Sequence, residues 1–259
     1  GGGGGGGVCV AGGGNERDRT PGGGTPQIYF RIRPHIKTNS YPMPLPRRVM
    51  QNAVRVWTHV MGFGLKVIIG LDYEVRGRQH IPPGGVIFAC KHQSAWETMA
   101  FHILFSDTSY VIKKELFAVP LFGWYARKCQ SIAVDRAGGG AALRRLIRDA
   151  RTQIAAGRPL VIFPEGTRMA PGTAGAYHPG VFALYKQARA PVVPVALNSG
   201  LFWGRRQFVK HPGVMVIEFL DAMPDGLERH QFMAELEKRV EAASEGLADE
   251  ARSRFNLTP

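Results

Sequence analysis

Past Met50 the chain alternates between two periodicities, and this alternation limits its possible folds more than any other feature. Runs rich in β-branched and aromatic residues occur at DYEVRG, GVIFAC, SYVIKK, SIAVD, PLVIFP, VVPVAL and GVMVIEFL. Between several of them lie helical patterns. The clearest covers residues 140–156, where Leu143, Leu146, Ile147, Ala150 and Ile154 form one apolar stripe. Arg144, Arg145, Arg148 and Arg151 fall largely off that stripe, and Gly157 marks its C-terminal end. Further helices are predicted over 181–188 and 228–248, the last with mixed charges and one solvent-facing side. Strands alternating with helices predict an α/β fold, a largely parallel central sheet flanked by helices.

Residues 1–45 have a different character. GGGGGGGVCVAGGG, RDRTPGGGTPQ and SYPMPLP are glycine-rich, polar and proline-rich in turn. Such composition does not offset its own ordering entropy, so a disordered segment is expected here, followed by one folded domain over 46–250. The segment lacks the apolar core of a signal peptide.

With 33 Lys plus Arg against 20 Asp plus Glu, the chain carries a net charge of +13. That excess points to an anionic partner: nucleic acid, an acidic membrane surface or a phosphorylated substrate. Cys9, Cys90 and Cys129 are too widely spaced for a zinc or disulfide framework, so a reducing compartment is the default. No apolar run reaches the ~20 residues that span a bilayer. The nearest, VWTHVMGFGLKVIIGL over 56–71, is broken by His59, Lys66 and glycines. It is either an ordinary packing helix or an interfacial one, with Arg47, Arg48 and Arg55 on lipid headgroups and Trp57 at the boundary.

In VIFACKHQSAWETM, an apolar run gives way to Lys91, His92 and, five positions on, Glu97. Residues five apart on one helix point about 140° away from each other. The two side chains therefore meet only if His92 precedes the helix and Glu97 sits in its first turn. Ser94-Ala95-Trp96-Glu97 supplies that start as a capping box, with Ser94 at N-cap and Glu97 at N3. Capping alone would also explain Glu97, and on local evidence it is the simpler account. A second site is FPEGTR, 163–168, where Gly166 allows a tight turn, Thr167 offers a hydroxyl and Arg168 a planar fork of donors for phosphate or carboxylate. The third, SIAVDR, ends in Asp135 and Arg136, which a surface ion pair would explain by itself. All three follow predicted strands, at the edge where open α/β sheets bind ligands, and together they point to one anion-binding active site.

KHQSAWET, GWYARKCQSIAVDR, FPEGTR and PVVPVALNSG resemble, in order and spacing, the four sequence blocks of the 1-acylglycerol-3-phosphate acyltransferase family, bacterial type. The likeness runs over about residues 47–240. It implies transfer of a fatty acyl group from an acyl-carrier protein or acyl-coenzyme A to lysophosphatidate, giving phosphatidate at the cytoplasmic face of a membrane. No cofactor or metal is implied, and no nucleic acid. His92 resembles the family's general base, with Glu97 where the family usually has Asp. Arg136, Glu165, Gly166, Thr167 and Arg168 resemble the residues that bind the acceptor's phosphate. A carboxylate repels phosphate, so Glu165 is expected to support an arginine or bind a glycerol hydroxyl. Val192 and Pro194 resemble structural positions along the acyl path. The family's N-terminal hydrophobic helices are replaced here by the glycine-rich tract, leaving 49–71 as their remnant.

Other classes fit less well. There is no G-x-S-x-G elbow for a serine hydrolase and no H-E-x-x-H for a zinc site. Within the enzyme class the alternative is another lysolipid, or glycerol-3-phosphate itself, as acceptor. From a different class, a basic nucleic-acid-binding protein would use FWGRRQF, 202–208, as an aromatic-basic patch. A loop over the acyl site or against lipid is the preferred role for that segment.

Overall fold

The structure, a computed structural model, describes residues 45–257. Apart from Leu45, the segment expected to be disordered lies outside these residues. All seven predicted strands are present: β1 (Leu71–Arg76), β2 (Ile87–Cys90), β3 (Ser109–Lys113), β4 (Ile132–Val134), β5 (Leu160–Ile162), β6 (Val192–Leu197) and β7 (Gly213–Phe219). They form one sheet in the order β1-β7-β6-β2-β5-β3-β4. Every neighbouring pair is parallel except β6 and β7, which run antiparallel. Strand β2 lies at the centre, and all four of its residues are buried. Burial on both faces is why its sequence is an unbroken apolar run rather than an alternating one.

The pleat sends alternate residues to opposite faces. Phe88, Cys90, Val161, Val193 and Val195 pack on one side with Trp96, Met99 and Phe101 of helix α2 (Trp96–Leu104). Ile87, Ala89, Leu160, Ile162 and Val192 pack on the other with three helices. Those helices are α4 (Gly139–Ala155), through Leu146 and Ala150, α5 (Gly180–Gln187), through Val181 and Leu184, and α7 (Arg229–Phe255), through Phe232, Leu236 and Val240. Two shorter helices are α3 (Phe122–Lys128) and α6 (Ser199–Phe202).

The predicted helix over 140–156 matches α4 to within a residue, and Gly157 follows its last turn at φ +72°, the left-handed conformation that closes helices. The helix predicted to stop at 248 instead runs to Phe255. Its polar last turns hide one apolar edge: Ala251 joins the core and the Phe255 ring meets Phe202 edge-on.

Helix α1 (Arg47–Gly64) is packed inside out. Its buried residues are the polar Gln51 and Thr58. Arg47 and Gln51 both donate to Asp107, which also receives the Arg158 guanidinium at 2.7 Å. The opposite face carries Val49, Val56, Val60 and Phe63, which recur at helical spacing, and Trp57 stands beside them; all are exposed. The stripe continues into a π-helical segment, Leu65–Ile69, where Ile68 is 84% exposed. Arg47, expected on lipid headgroups, is turned inward to Asp107 and Gln130 instead. No helix among the described residues is long and apolar enough to cross a membrane.

Candidate active site

His92 lies two residues beyond β2 and Glu97 in the first turn of α2, the arrangement that allows them to meet. The imidazole Nδ1 and Glu97 Oε1 are 2.8 Å apart. The same oxygen accepts the backbone N–H groups of Gln93 and Ser94 at 2.6 Å, while Oε2 accepts the Ser199 hydroxyl at 3.0 Å. With four donors around it, the carboxylate leaves only the donor role to Nδ1, which directs the lone pair to Nε2. The ring is further fixed by stacking on Phe163, with centroids 4.0 Å apart. Capping and orienting are therefore simultaneous rather than alternative. The boundary differs from the expected capping box: the helix begins at Trp96, with Ala95 rather than Ser94 in the cap position. Even so, the Glu97 bond to the Ser94 N–H is made, and Ser94 Oγ accepts from Trp96 N.

FPEGTR begins just past β5, beside β2, so its turn reaches the same edge of the sheet. Glu165 departs from its expected role on the acceptor: its side chain is buried and is not part of the cavity lining. It binds Lys91 Nζ at 2.8 Å and accepts the His92 and Gly175 N–H groups. It thus supports a lysine rather than an arginine. Lys91 itself is 1% exposed and uses its three protons on Glu165, on Glu241 of α7 at 2.7 Å and on the Thr173 carbonyl. Tyr177 Oη donates to the same Glu241. Lys91 had no role assigned from the sequence. Its signal was a charge directly after a buried strand, but the partner was hidden because strand order is not written locally.

A cavity of about 480 Å³ opens at this edge and is lined by His92, Arg136, Gly166 and Arg168. Thr167 shares the turn but is not part of the lining. Arg136 arches across from the end of β4 and donates to the Gly166 carbonyl. Gly166 sits at φ +62°, and a methyl group there would overlap the Arg136 guanidinium, so glycine is required on two counts. Lys113, not singled out from the sequence, extends the cationic wall, and the His178 imidazole, also not singled out, stands beside it. Burial, then the neighbouring Arg136 and Lys113 charges, hold the His178 imidazole below its ordinary pKa. Ser94, Thr98 and Asp135 also line the cavity, and Ile112, Leu116, Phe122, Leu143, Leu146 and Val181 make an apolar groove running from His92 between the sheet edge, α3 and α4. Among the described residues, no cluster of histidine, cysteine or carboxylate side chains is placed to hold a metal ion.

In the FWGRRQF segment the three aromatic rings do not form one exposed face. Phe202 is fully buried, Trp203 is half-buried and Phe208 is exposed, with the Lys210 ammonium over the Trp203 and Phe208 rings. The Arg205 guanidinium donates to the Arg168 carbonyl, which puts this segment beside the cavity's cationic end.

Fold and site together define a class: an open, mostly parallel α/β sheet with a histidine–carboxylate pair and a cationic turn at one edge of its central strands. A family model described as Acyltransferase matches residues 72–198. The 1-acyl-sn-glycerol-3-phosphate acyltransferase of Pseudomonas aeruginosa is 37% identical over 78% of this chain and 78% of its own. That of Saccharomyces cerevisiae is 29% identical over 64% of this chain and 55% of its own. The crystal structure of the 1-acyl-sn-glycerophosphate acyltransferase PlsC from Thermotoga maritima superposes with a TM-score of 0.62 at 21% identity, covering 78% of this chain and 80% of that one. The chain belongs to the 1-acylglycerol-3-phosphate acyltransferase family.

The Lys91–Glu165 pair makes a prediction about stability. Removing one partner of a buried ion pair typically costs about 3–5 kcal/mol, because the other charge is left uncompensated. Lys91→Met should therefore unfold at markedly lower denaturant than wild type. The double variant Lys91→Met/Glu165→Gln should cost clearly less than the two single losses added together. Additive losses in that cycle would show that the two groups do not act as a pair.

Proposed function

We propose that the protein transfers a fatty acyl group from a thioester to the free hydroxyl of 1-acylglycerol-3-phosphate, giving phosphatidate. One observation carries this reading: the His92–Glu97 pair, a wall of Arg136, Arg168, Lys113 and His178, and an apolar groove meet in one cavity. These are the three chemistries that a phosphorylated, acyl-bearing acceptor needs. The names of the relatives support the same substrate.

In this mechanism His92 Nε2 takes the proton of the acceptor hydroxyl as its oxygen attacks the thioester carbonyl. Glu97 holds the imidazole in the tautomer that exposes Nε2 and stabilises the imidazolium that forms. The tetrahedral intermediate collapses with cleavage of the C–S bond, and the imidazolium returns its proton to the departing thiolate. Arg168, whose guanidinium has no partner among the described residues, forms a bidentate fork and receives the phosphate with Arg136. Gly166 provides the turn, whereas Glu165 acts behind it by fixing the His92 backbone.

We further infer that α1 lies in a membrane interface. A helix that buries Gln51 and Thr58 and exposes Val56, Trp57, Val60, Phe63 and Ile68 is oriented for lipid rather than for water. Exposed Leu121, Phe122 and Trp124 on and just before α3, which packs against α1, extend this apolar surface to the cavity mouth.

Purified protein given lysophosphatidate and an acyl thioester, with phosphatidate read by mass spectrometry, tests the reaction. His92→Ala should lose about 10²–10⁴-fold in turnover, the usual contribution of a general base, with its melting temperature near wild type. A variant that retains most of its turnover would remove His92 from the chemistry. Glu97→Gln should lose both activity and stability, activity by more, because one carboxylate serves the imidazole and the helix start. Arg168→Ala should raise the acceptor's KM about ten-fold or more, from the loss of a charge-assisted hydrogen bond, and leave the donor's KM alone. Arg168→Lys should restore it only in part. A defect confined to the donor would move the phosphate site elsewhere.

Vesicle flotation tests the lipid contact. Trp57→Ser/Phe63→Ser should abolish binding to vesicles containing anionic lipid while leaving the fold intact. Undiminished flotation would return α1 to the role of a packing helix.

A further inference from the structure

Helix α4 has a ridge of charge that the cavity does not use. Arg144, Arg148 and Arg151 recur at i, i+4 and i+7, so they stand on one face, and Arg145 flanks them. All four are exposed. The one acid on the helix, Asp149, is shared between Arg145 at 3.5 Å and Arg148 at 2.9 Å. Arg151 reaches the Gln187 carbonyl at the end of α5, and Arg144 has no carboxylate partner among the described residues. Between them lies a shallow hollow formed by Arg144, Ile147, Arg148, Arg151, Thr152 and Gln187. Like charges at this spacing repel each other, so the ridge is a standing electrostatic cost unless something outside the chain meets it.

Its position narrows what that partner is. The first turns of the same helix line the cavity through Gly139, Ala142, Leu143 and Leu146, so the ridge begins where the apolar groove opens. The ridge belongs to the sheet face covered by α4, α5 and α7, whereas the apolar stripe extends from α1 on the face covered by α2. The proposed lipid contact and the arginines are therefore on opposite sides of the sheet. The hollow is lined by no aromatic side chain that would stack on a nucleotide base. The charges spread along about 10 Å of helix, the length of seven residues, which suits a row of carboxylates better than one compact ligand. We propose that the α4 ridge docks an acidic carrier protein, which presents its thioester-linked acyl chain to the groove beside Leu143. This rests on the acyltransferase reading above and names the donor for it.

The test compares two donors of the same acyl group, an acidic acyl-carrier protein charged as the thioester and the corresponding acyl-coenzyme A, with lysophosphatidate as acceptor. Arg144→Ala/Arg148→Ala should lower kcat/KM for the carrier-bound donor roughly ten-fold, and Arg144→Glu/Arg148→Glu further, as expected where complementary charge governs encounter. The acceptor's KM and turnover from acyl-coenzyme A should stay near wild type, and melting temperature should be unchanged. Added salt should depress wild-type use of the carrier donor and affect the variants little. Equal losses with both donors would assign the ridge to the coenzyme's phosphates and overturn the proposal. So would impaired vesicle flotation without donor selectivity, which would assign the ridge to lipid. A wild-type enzyme active only with acyl-coenzyme A would overturn the docking surface and leave the acyltransferase reading standing. Inactivity with both donors would overturn the two together.

Discussion

A buried ammonium group next to the candidate base organises this site. Lys91 is sealed from water at the end of β2, where an unpaired charge would be severely destabilising. It is neutralised by Glu165 from the turn after β5 and by Glu241 from α7, and its third proton goes to the Thr173 carbonyl. Those partners come from separate parts of the chain, so satisfying one lysine fixes the spacing of three. The other oxygen of Glu165 takes the His92 N–H at 3.3 Å. The histidine backbone and the FPEGTR turn are thus tied through one carboxylate, and the Met169 N–H on the His92 carbonyl ties them again. A glutamate in a proposed phosphate turn looks misplaced until its side chain is followed inward.

Glu97 does for the imidazole what Glu165 does for the backbone. It satisfies two loop N–H groups, which would otherwise be left without partners at the start of α2, and it receives Nδ1 of His92. Ser199, from α6 after β6, donates to its other oxygen. The extra methylene relative to aspartate is accommodated by this placement: the carboxylate reaches back past the helix start and is held there from both sides. Through the Nδ1 contact Glu97 sets the orientation of the imidazole and leaves Nε2 toward the cavity side of the ring.

Much of this was legible in the sequence, and the exceptions have physical causes. The strands were readable because a central parallel sheet is buried on both faces, so each strand is a short apolar word between turns. His92, Glu97, Arg136 and Arg168 could be placed because each follows a strand or opens the next element. The Lys91–Glu165 pairing was not legible because it depends on β2 and β5 being neighbours, although the 69 residues between Cys90 and Leu160 contain two other strands. His178 and Lys113 enter the cavity from a loop and a strand end with no motif to mark them. The overrun of α7 came from its composition: its last turns are polar nearly all round, and only Ala251 and Phe255 show that they are packed. Helix α1 shows a different limit. The run over 56–71 is readable as either a packing helix or an interfacial one, because sequence reports that apolar residues are present, not which face turns inward.

That inversion has a physical logic. Water would drive the apolar stripe of α1 onto the sheet, so its polar face is retained inward only because Asp107 offers a site for it. Arg47, Gln51 and Arg158 converge on that carboxylate, and Arg158 is itself nearly buried. Burial there pulls the guanidinium's pKa down even with Asp107 opposing the shift, so the group stands in a poorly hydrated site. A charge network of this kind fixes direction where apolar packing would not, because a slipped or rotated helix would take Arg47 and Gln51 away from Asp107. The apolar face is thereby held outward beside α3 and the mouth of the groove, while the arginines of α4 face away on the other side of the sheet. If the acceptor arrives from lipid and the donor from solution, the two must reach His92 from different directions. A sheet edge with an apolar helix on one face and a cationic helix on the other separates those two approaches.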